Sequence, residues 1–158
     1  MREAPNPTPP DLEAVLKFYA NSPHHQATGI TVVSVDVELA RMRVPYNKCF
    51  IGDPDTGAVH GGLITTMMDA TGGLAVLAKV PPGTSIATLD LRLDYLRSAE
   101  RGSDLIGEAE CFKVTRNIAF TRGTTYEERN ARDPIANFIA TYMIKPVGID
   151  MAIGSAGS

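Results

Sequence analysis

Residues 11–23, DLEAVLKFYANSP, carry Leu12, Val15, Leu16 and Tyr19 at the spacing of one helix face. Asp11 stands where its carboxylate caps the first turn and Pro23 closes the segment, so a short amphipathic helix is expected. From Gly29 the period falls to two. Val33, Val35, Val37 and Leu39 alternate with Ser34, Asp36, Glu38 and Ala40, the pattern of a half-exposed strand that continues through RMRVPY. The stretch NKCFIGDPDTGAV, residues 47–59, concentrates Gly, Asp and Pro and is longer than a tight turn requires; it reads as a loop that lines a site. An apolar helix over 61–79 follows, stopped by VPPG. Four runs of strand character come next, at 85–97, 104–115, 118–128 and 135–145. The turn-forming segments SAERGS, TRN and ERNARDP between them predict antiparallel hairpins. A single long apolar helix must bury its surface against those strands, which makes the fold class α+β.

Composition narrows this picture. The chain has 158 residues, 44% hydrophobic and 21% charged, the balance of one globular domain, placed over 11–147. Residues 1–10, with four prolines, are expected to be a flexible lead-in, and 148–158 a fraying tail. The formal net charge is -3 and the 15 basic residues are dispersed, which argues against nucleic acid or an anionic membrane as partner. Cys49 and Cys111 lie outside metal-type spacing and read as two buried free thiols, suited to a reducing cytoplasm. The N-terminus lacks an apolar signal region, and the most apolar segment, 61–80, is interrupted by Asp69 and Lys79. A cytoplasmic protein is expected.

The charge inside the apolar helix is where chemistry enters. On a 3.6-residue helix Asp69 shares its face with Thr65, Thr66, Gly72 and Gly73, all small, so that face is thin enough for a second backbone or a ligand to approach. Each helical glycine costs about 1 kcal/mol relative to alanine, and close packing would explain the pair. A carboxylate in such a setting either pins the helix through threonine hydroxyls or is poised for proton transfer; the residues alone leave both readings level. His60-Gly61-Gly62 stands at the helix start, where unbonded N–H groups and the positive end of the dipole would stabilise an oxyanion. Eight residues of helix separate Gly61 from Asp69 by about 12 Å, too far for both to touch one carbonyl. If they serve one site, they come from two subunits of a two-fold dimer.

HGGLITTMMDATGG, followed by ATLDLRLDYLRSAERGSDL and RNIAF, resembles the PaaI-like branch of the hotdog-fold acyl-CoA thioesterases, over roughly residues 26–146. The resemblance implies a single hotdog domain, a long central helix wrapped by a five- to six-stranded antiparallel sheet. It also implies homodimers with a continuous sheet, often homotetramers, that hydrolyse acyl- or aryl-CoA thioesters to free acid and CoA without a metal or redox cofactor. By this likeness Asp69 is the general base or nucleophile of one subunit, and the Gly61 N–H polarises the thioester carbonyl in the other. His60 is the histidine beside that N–H, and Thr88 the hydroxyl near the attacking water. Gly62 and Thr66 join them as substrate-binding positions. The likeness departs at Pro54, where the family commonly has Asn or Gln six residues before the histidine; Asn47 is the nearest upstream amide, and Asp53 or Asp55 would repel an oxyanion.

The remaining signals carry less. DPDTG begins like a calcium loop, with Asp53 and Asp55 at positions one and three, but position twelve is Ile64, and the reading is rejected. His24-His25 has no acidic or Cys companions and reads as solvent-exposed rather than as a ligand pair, with a loop role at the mouth of an acyl tunnel as the lesser alternative. Among Arg97, Arg101 and Arg116, placed at strand ends or turns, Arg97 and Arg116 are assigned to the CoA phosphates because they flank YLR and RNIAF. Two rivals remain. One is a non-catalytic acyl-CoA-binding protein, kept alive by Pro54. The other is an acyl-thioester hydratase or dehydratase, which wants a different histidine motif.

Overall fold

The computed structural model describes residues 11–145; the expected lead-in 1–10 and tail 148–158 lie outside them. Helix α1, Leu12–Asn21, starts as expected, with Asp11 Oδ1 accepting from the Ala14 N–H at 3.0 Å. It turns Val15 and Tyr19 inward and leaves Leu16 and Phe18 exposed. Pro23 closes the segment as expected, with Ser22 before it in the extended region. It also opens a second helix, α2 (Pro23–Thr28), because at the first helical position its missing N–H has no partner to lose.

The expected strand over 33–44 is a hairpin instead, β1 (Thr31–Val35) and β2 (Ala40–Val44). Asp36 is the cause: its carboxylate accepts from the N–H groups of Glu38 and Leu39 at 2.7 and 2.9 Å and folds the chain back. A bulge between Val32 and Ser34 also changes the buried parity, so Val32 and Val35 pack on the core while Val33 and Val37 face out. The 47–59 loop is likewise structured, as a 3-10 turn (Lys48–Phe50) and a small hairpin of β3 (Ile51–Asp53) and β4 (Ala58–Val59).

Helix α3, Gly61–Leu77, is followed by β5 (Ser85–Tyr95), β6 (Leu105–Val114), β7 (Ile118–Glu127) and β8 (Ala136–Lys145). One six-stranded antiparallel sheet results, in the order β1-β2-β6-β7-β8-β5, with β5 an open edge. α3 lies across its inner face and packs against β2, β5, β6, β7 and β8. Met67, Met68, Leu74 and Val76 of the helix meet Met42, Leu105, Phe138 and Tyr142 of the strands in one core. β5 carries a bulge between Thr88 and Asp90. Of the two cysteines, Cys111 is buried, and its thiol is pushed up by that burial; Cys49 is exposed, contrary to expectation, because it sits in the 3-10 turn. Among the described residues no helix is long and apolar enough to cross a membrane.

Candidate active site

The start of α3 is built by His60. Its Nδ1 accepts from the Gly62 N–H at 2.9 Å, which caps the helix and leaves the proton of the neutral ring on Nε2. Leu63 N–H bonds back to the His60 carbonyl at 3.0 Å, and His60 N–H is held by the Phe50 carbonyl at 2.8 Å. The Gly61 N–H meets no acceptor among the described residues. It is therefore the free donor of this terminus, whereas the Gly62 N–H is already occupied. Tyr95, at the end of β5, donates its phenol to the Gly61 carbonyl at 2.8 Å and lies 2.9 Å from Thr65 Oγ1. A cleft of about 350 Å³ opens beside this end, lined by Cys49, Phe50, Ile51, His60, Leu63 and Thr66.

Asp69, two turns further along, is partly exposed. Its Oδ1 accepts from Thr88 Oγ1 at 2.7 Å, so the carboxylate is held by a strand hydroxyl and not by the helix threonines. Thr65 instead bonds the Gly61 carbonyl at 3.2 Å. A second cleft, of about 300 Å³, opens over Asp69 and Thr88, with Tyr19, His24, His25 and Tyr142 in its wall. Thr66 lines both clefts.

Gly72 does not offer an open face, and Gly73 lines the Asp69 cleft beside the Tyr19 phenol. The buried phenol of Tyr142 reaches past Gly72 to donate to the Asp69 carbonyl at 2.9 Å, and that of Tyr19 reaches past Gly73 to the Ala70 carbonyl at 3.0 Å. Burial first, and then the Asp69 charge, push both phenols far above the ordinary tyrosine range, so they remain protonated donors. Two neighbouring peptide units of α3 are thus gripped from both sides, which fixes where the Asp69 side chain departs. His25 stacks on Tyr19 with ring centroids 5.0 Å apart, and its Nδ1–H donates to the Tyr19 carbonyl at 3.2 Å. The histidine pair, read from sequence as solvent-exposed, borders the Asp69 cleft.

The other assigned residues fall apart from these clefts. Asn47 caps the 3-10 turn, its side-chain oxygen accepting from Cys49 N–H at 2.9 Å, and lines neither cleft. Pro54 lies in the β3–β4 turn, so counting back from His60 along the chain runs out to the hairpin tip; the backbone next to His60 is that of Phe50 and Gly52. Arg97 is engaged by Glu127, only 1% exposed, and by Asp133 at 2.9 Å, which leaves its guanidinium committed to a structural network. Arg116 stands exposed in the β6–β7 turn with no ion-pair partner among the described residues. The tyrosines 19, 95 and 142 escaped sequence reasoning, since nothing local marks them.

An antiparallel sheet wrapped around one long helix is the hotdog fold, and here it sets a carboxylate and a hydroxyl over one cleft and an N–H with no acceptor among the described residues at the helix start. Residues 56–132 match the sequence profile of the Thioesterase superfamily. A protein of Halobacterium salinarum described as an esterase is 39% identical over 93 residues, 57% of this chain and 60% of that protein. The medium/long-chain acyl-CoA thioesterase YigI of Escherichia coli is 24% identical over 140 residues, 80% of this chain and 88% of that protein. A crystal structure of a Pseudomonas aeruginosa protein superposes with a TM-score of 0.74 at 41% identity, covering 84% of this chain and 97% of the other. The chain belongs to the thioesterase superfamily and is an enzyme of that class.

Proposed function

We propose that the chain hydrolyses acyl-CoA thioesters in the cytoplasm, with Asp69 of one subunit as general base or nucleophile and the Gly61 N–H of a second subunit binding the thioester oxygen. The observation that carries this reading is the Thr88–Asp69 pair, 2.7 Å apart over a cleft, on the same helix as an N–H with no acceptor among the described residues. Carboxylate and hydroxyl together can orient a water and take its proton as it attacks, and the helix start stabilises the charge that forms on oxygen. Their separation of about 12 Å along α3 supports placing the two groups on different chains. The open edge β5 supports the dimer. It carries Thr88 beside Asp69 and Tyr95 beside Gly61, so antiparallel pairing of two such edges about a two-fold axis sets each Gly61 end against the partner's Asp69 end. The name of the YigI relative points to CoA esters as the substrate class.

Thiol release from a panel of acetyl-, octanoyl-, hexadecanoyl- and phenylacetyl-CoA tests the proposal. Turnover on part of the panel is expected, and its loss in Asp69→Ala with fold and sedimentation unchanged. Wild-type turnover in that variant would end the assignment, and full activity of a monomer would end the shared site. One observation favours a second reading, a non-catalytic CoA-ester binder: among the described residues no side-chain amide lines the His60 cleft. Saturable binding with no release across the panel would select it.

A further inference from the structure

From the cavities we infer that the acyl chain lies in an apolar groove between α1 and the carboxyl end of α3, a seat of medium length that begins at Asp69; this rests on the thioesterase reading. A third cavity, of about 400 Å³, is lined by Ala14, Val15 and Phe18 of α1, Leu77 of α3, and Pro81 and Pro82 of the loop that follows. Phe18 and Ile86 line this cavity and the Asp69 cleft alike, so the two spaces adjoin at these side chains, and in the proposed seat they join at this neck into one groove. The floor is one stripe of α3, Asp69, Ala70, Gly73 and Leu77, along which the space runs away from the carboxylate.

The walls are chemically apolar as well as hydrocarbon-rich. The polar groups at the rim are used internally: Asp11 caps Ala14 N–H at 3.0 Å, Thr84 Oγ1 donates to the Pro81 carbonyl at 2.7 Å, and Ser85 Oγ to the Lys145 carbonyl at 3.4 Å. Asp11 at the rim would repel an anionic head, while a methylene chain loses little by entering. Phe18, 67% exposed, would cover the chain at the neck. The stripe from Asp69 to Leu77 is about 12 Å long. An extended chain of single bonds advances about 1.2 Å per bond, so the groove takes about ten carbons beyond the carbonyl.

Straight-chain CoA thioesters of increasing length, assayed by thiol release with the full chain, test this seat. kcat/KM is expected to rise about fourfold per added methylene until the groove is filled, near ten carbons, and then to level off. Ala14→Trp, on an exposed helix position, places an indole in the distal groove and is expected to lower the decanoyl-to-butyryl ratio of kcat/KM at least tenfold. A flat wild-type profile, or an unchanged ratio in Ala14→Trp, overturns the seat and leaves hydrolysis standing. No release from any thioester overturns the hydrolysis reading instead. Calorimetric binding of decanoyl-CoA against free CoA then decides: a preference for decanoyl-CoA that Ala14→Trp removes supports the seat, and equal affinities overturn it. A length preference that emerges only after residues 1–10 are removed assigns the groove to that segment of the chain and overturns the inference.

Discussion

Replacing Gly72 by alanine isolates what the paired glycines are for. An added Cβ would fall inside van der Waals contact of the Tyr142 hydroxyl and 3.2 Å from both Phe138 Cε2 and Thr121 Oγ1. Tyr142 is 1% exposed and rigid, so relief requires its ring to move and its bond to the Asp69 carbonyl to break. The substitution gains about 1 kcal/mol of helix propensity. Against this stand about 1–3 kcal/mol for a buried hydroxyl left unpaired and about 1–3 kcal/mol for overpacking. The centre of that range is a net loss of about 3 kcal/mol, or about 6–12 °C in Tm for a chain of this size. Gly73→Ala is the control: its Cβ would stand 3.1 Å from the Tyr19 hydroxyl and 3.3 Å from Ile86 Cδ1, contacts that a few tenths of an ångström relieve. Propensity then offsets strain, and the change stays within about 1 kcal/mol. Urea unfolding of the two variants beside wild type reads the difference. Gly72→Ala as stable as wild type, or Gly73→Ala losing as much, would refute the idea that Tyr142 needs the missing side chain.

Three further outcomes follow from the described contacts. Thr88→Val keeps the shape of β5 but strips Asp69 of its 2.7 Å donor, and steady-state kinetics should show kcat/KM falling about ten- to a hundredfold with the unfolding midpoint nearly unmoved. Arg97→Ala strands a buried carboxylate and should cost about 3–5 kcal/mol near neutral pH. Burial pushes Glu127 up, but Arg97 and the Glu100 N–H more than offset it and hold it below the usual carboxylate range. That pairing therefore stabilises wild type fully above the unfolded-state pKa of about 4.3 and is lost as pH falls through the lower folded value, so the gap to Arg97→Ala in chemical unfolding should narrow in acid. Iodoacetamide should label the native protein once, at exposed Cys49, and reach buried Cys111 only after unfolding; mass spectrometry of peptides distinguishes the two.

The sequence made the four C-terminal strands and α3 legible because their boundaries are set by local chemistry, hairpin turns and a proline stop. It misled at 33–44, where one carboxylate, Asp36, turns an unbroken alternation into a hairpin, and it did not show that Pro23, having ended one helix, starts another. In the site, Asp69, Thr88 and the His60 cap stood out as polar residues in conspicuous places. Tyr19, Tyr95 and Tyr142 did not, since each finds its partner 51, 34 and 73 residues away. Their role is written in the packing of the helix on the sheet, which periodicity does not encode. The Arg97 assignment shows the opposite hazard: a cation at a strand end invites a phosphate, but a buried glutamate thirty residues on had claimed it.

The single extra residue in β5 has a consequence for the whole site. Side chains alternate along a strand, so Thr88 and Tyr95, one even and one odd in number, belong on opposite faces of a regular one. Up to the irregularity the rungs facing α3 are Ile86–Ile144 and Thr88–Tyr142; beyond it they are Leu91–Ala140, Leu93–Phe138 and Tyr95–Ala136. Leu89, 55% exposed, absorbs the change of phase. Removing it would straighten the strand and turn either the hydroxyl at Asp69 or the phenol at Gly61 to the outside. One inserted residue lets a single edge strand serve both ends of the helix, and in the proposed dimer it would give one strand a part in each of two sites.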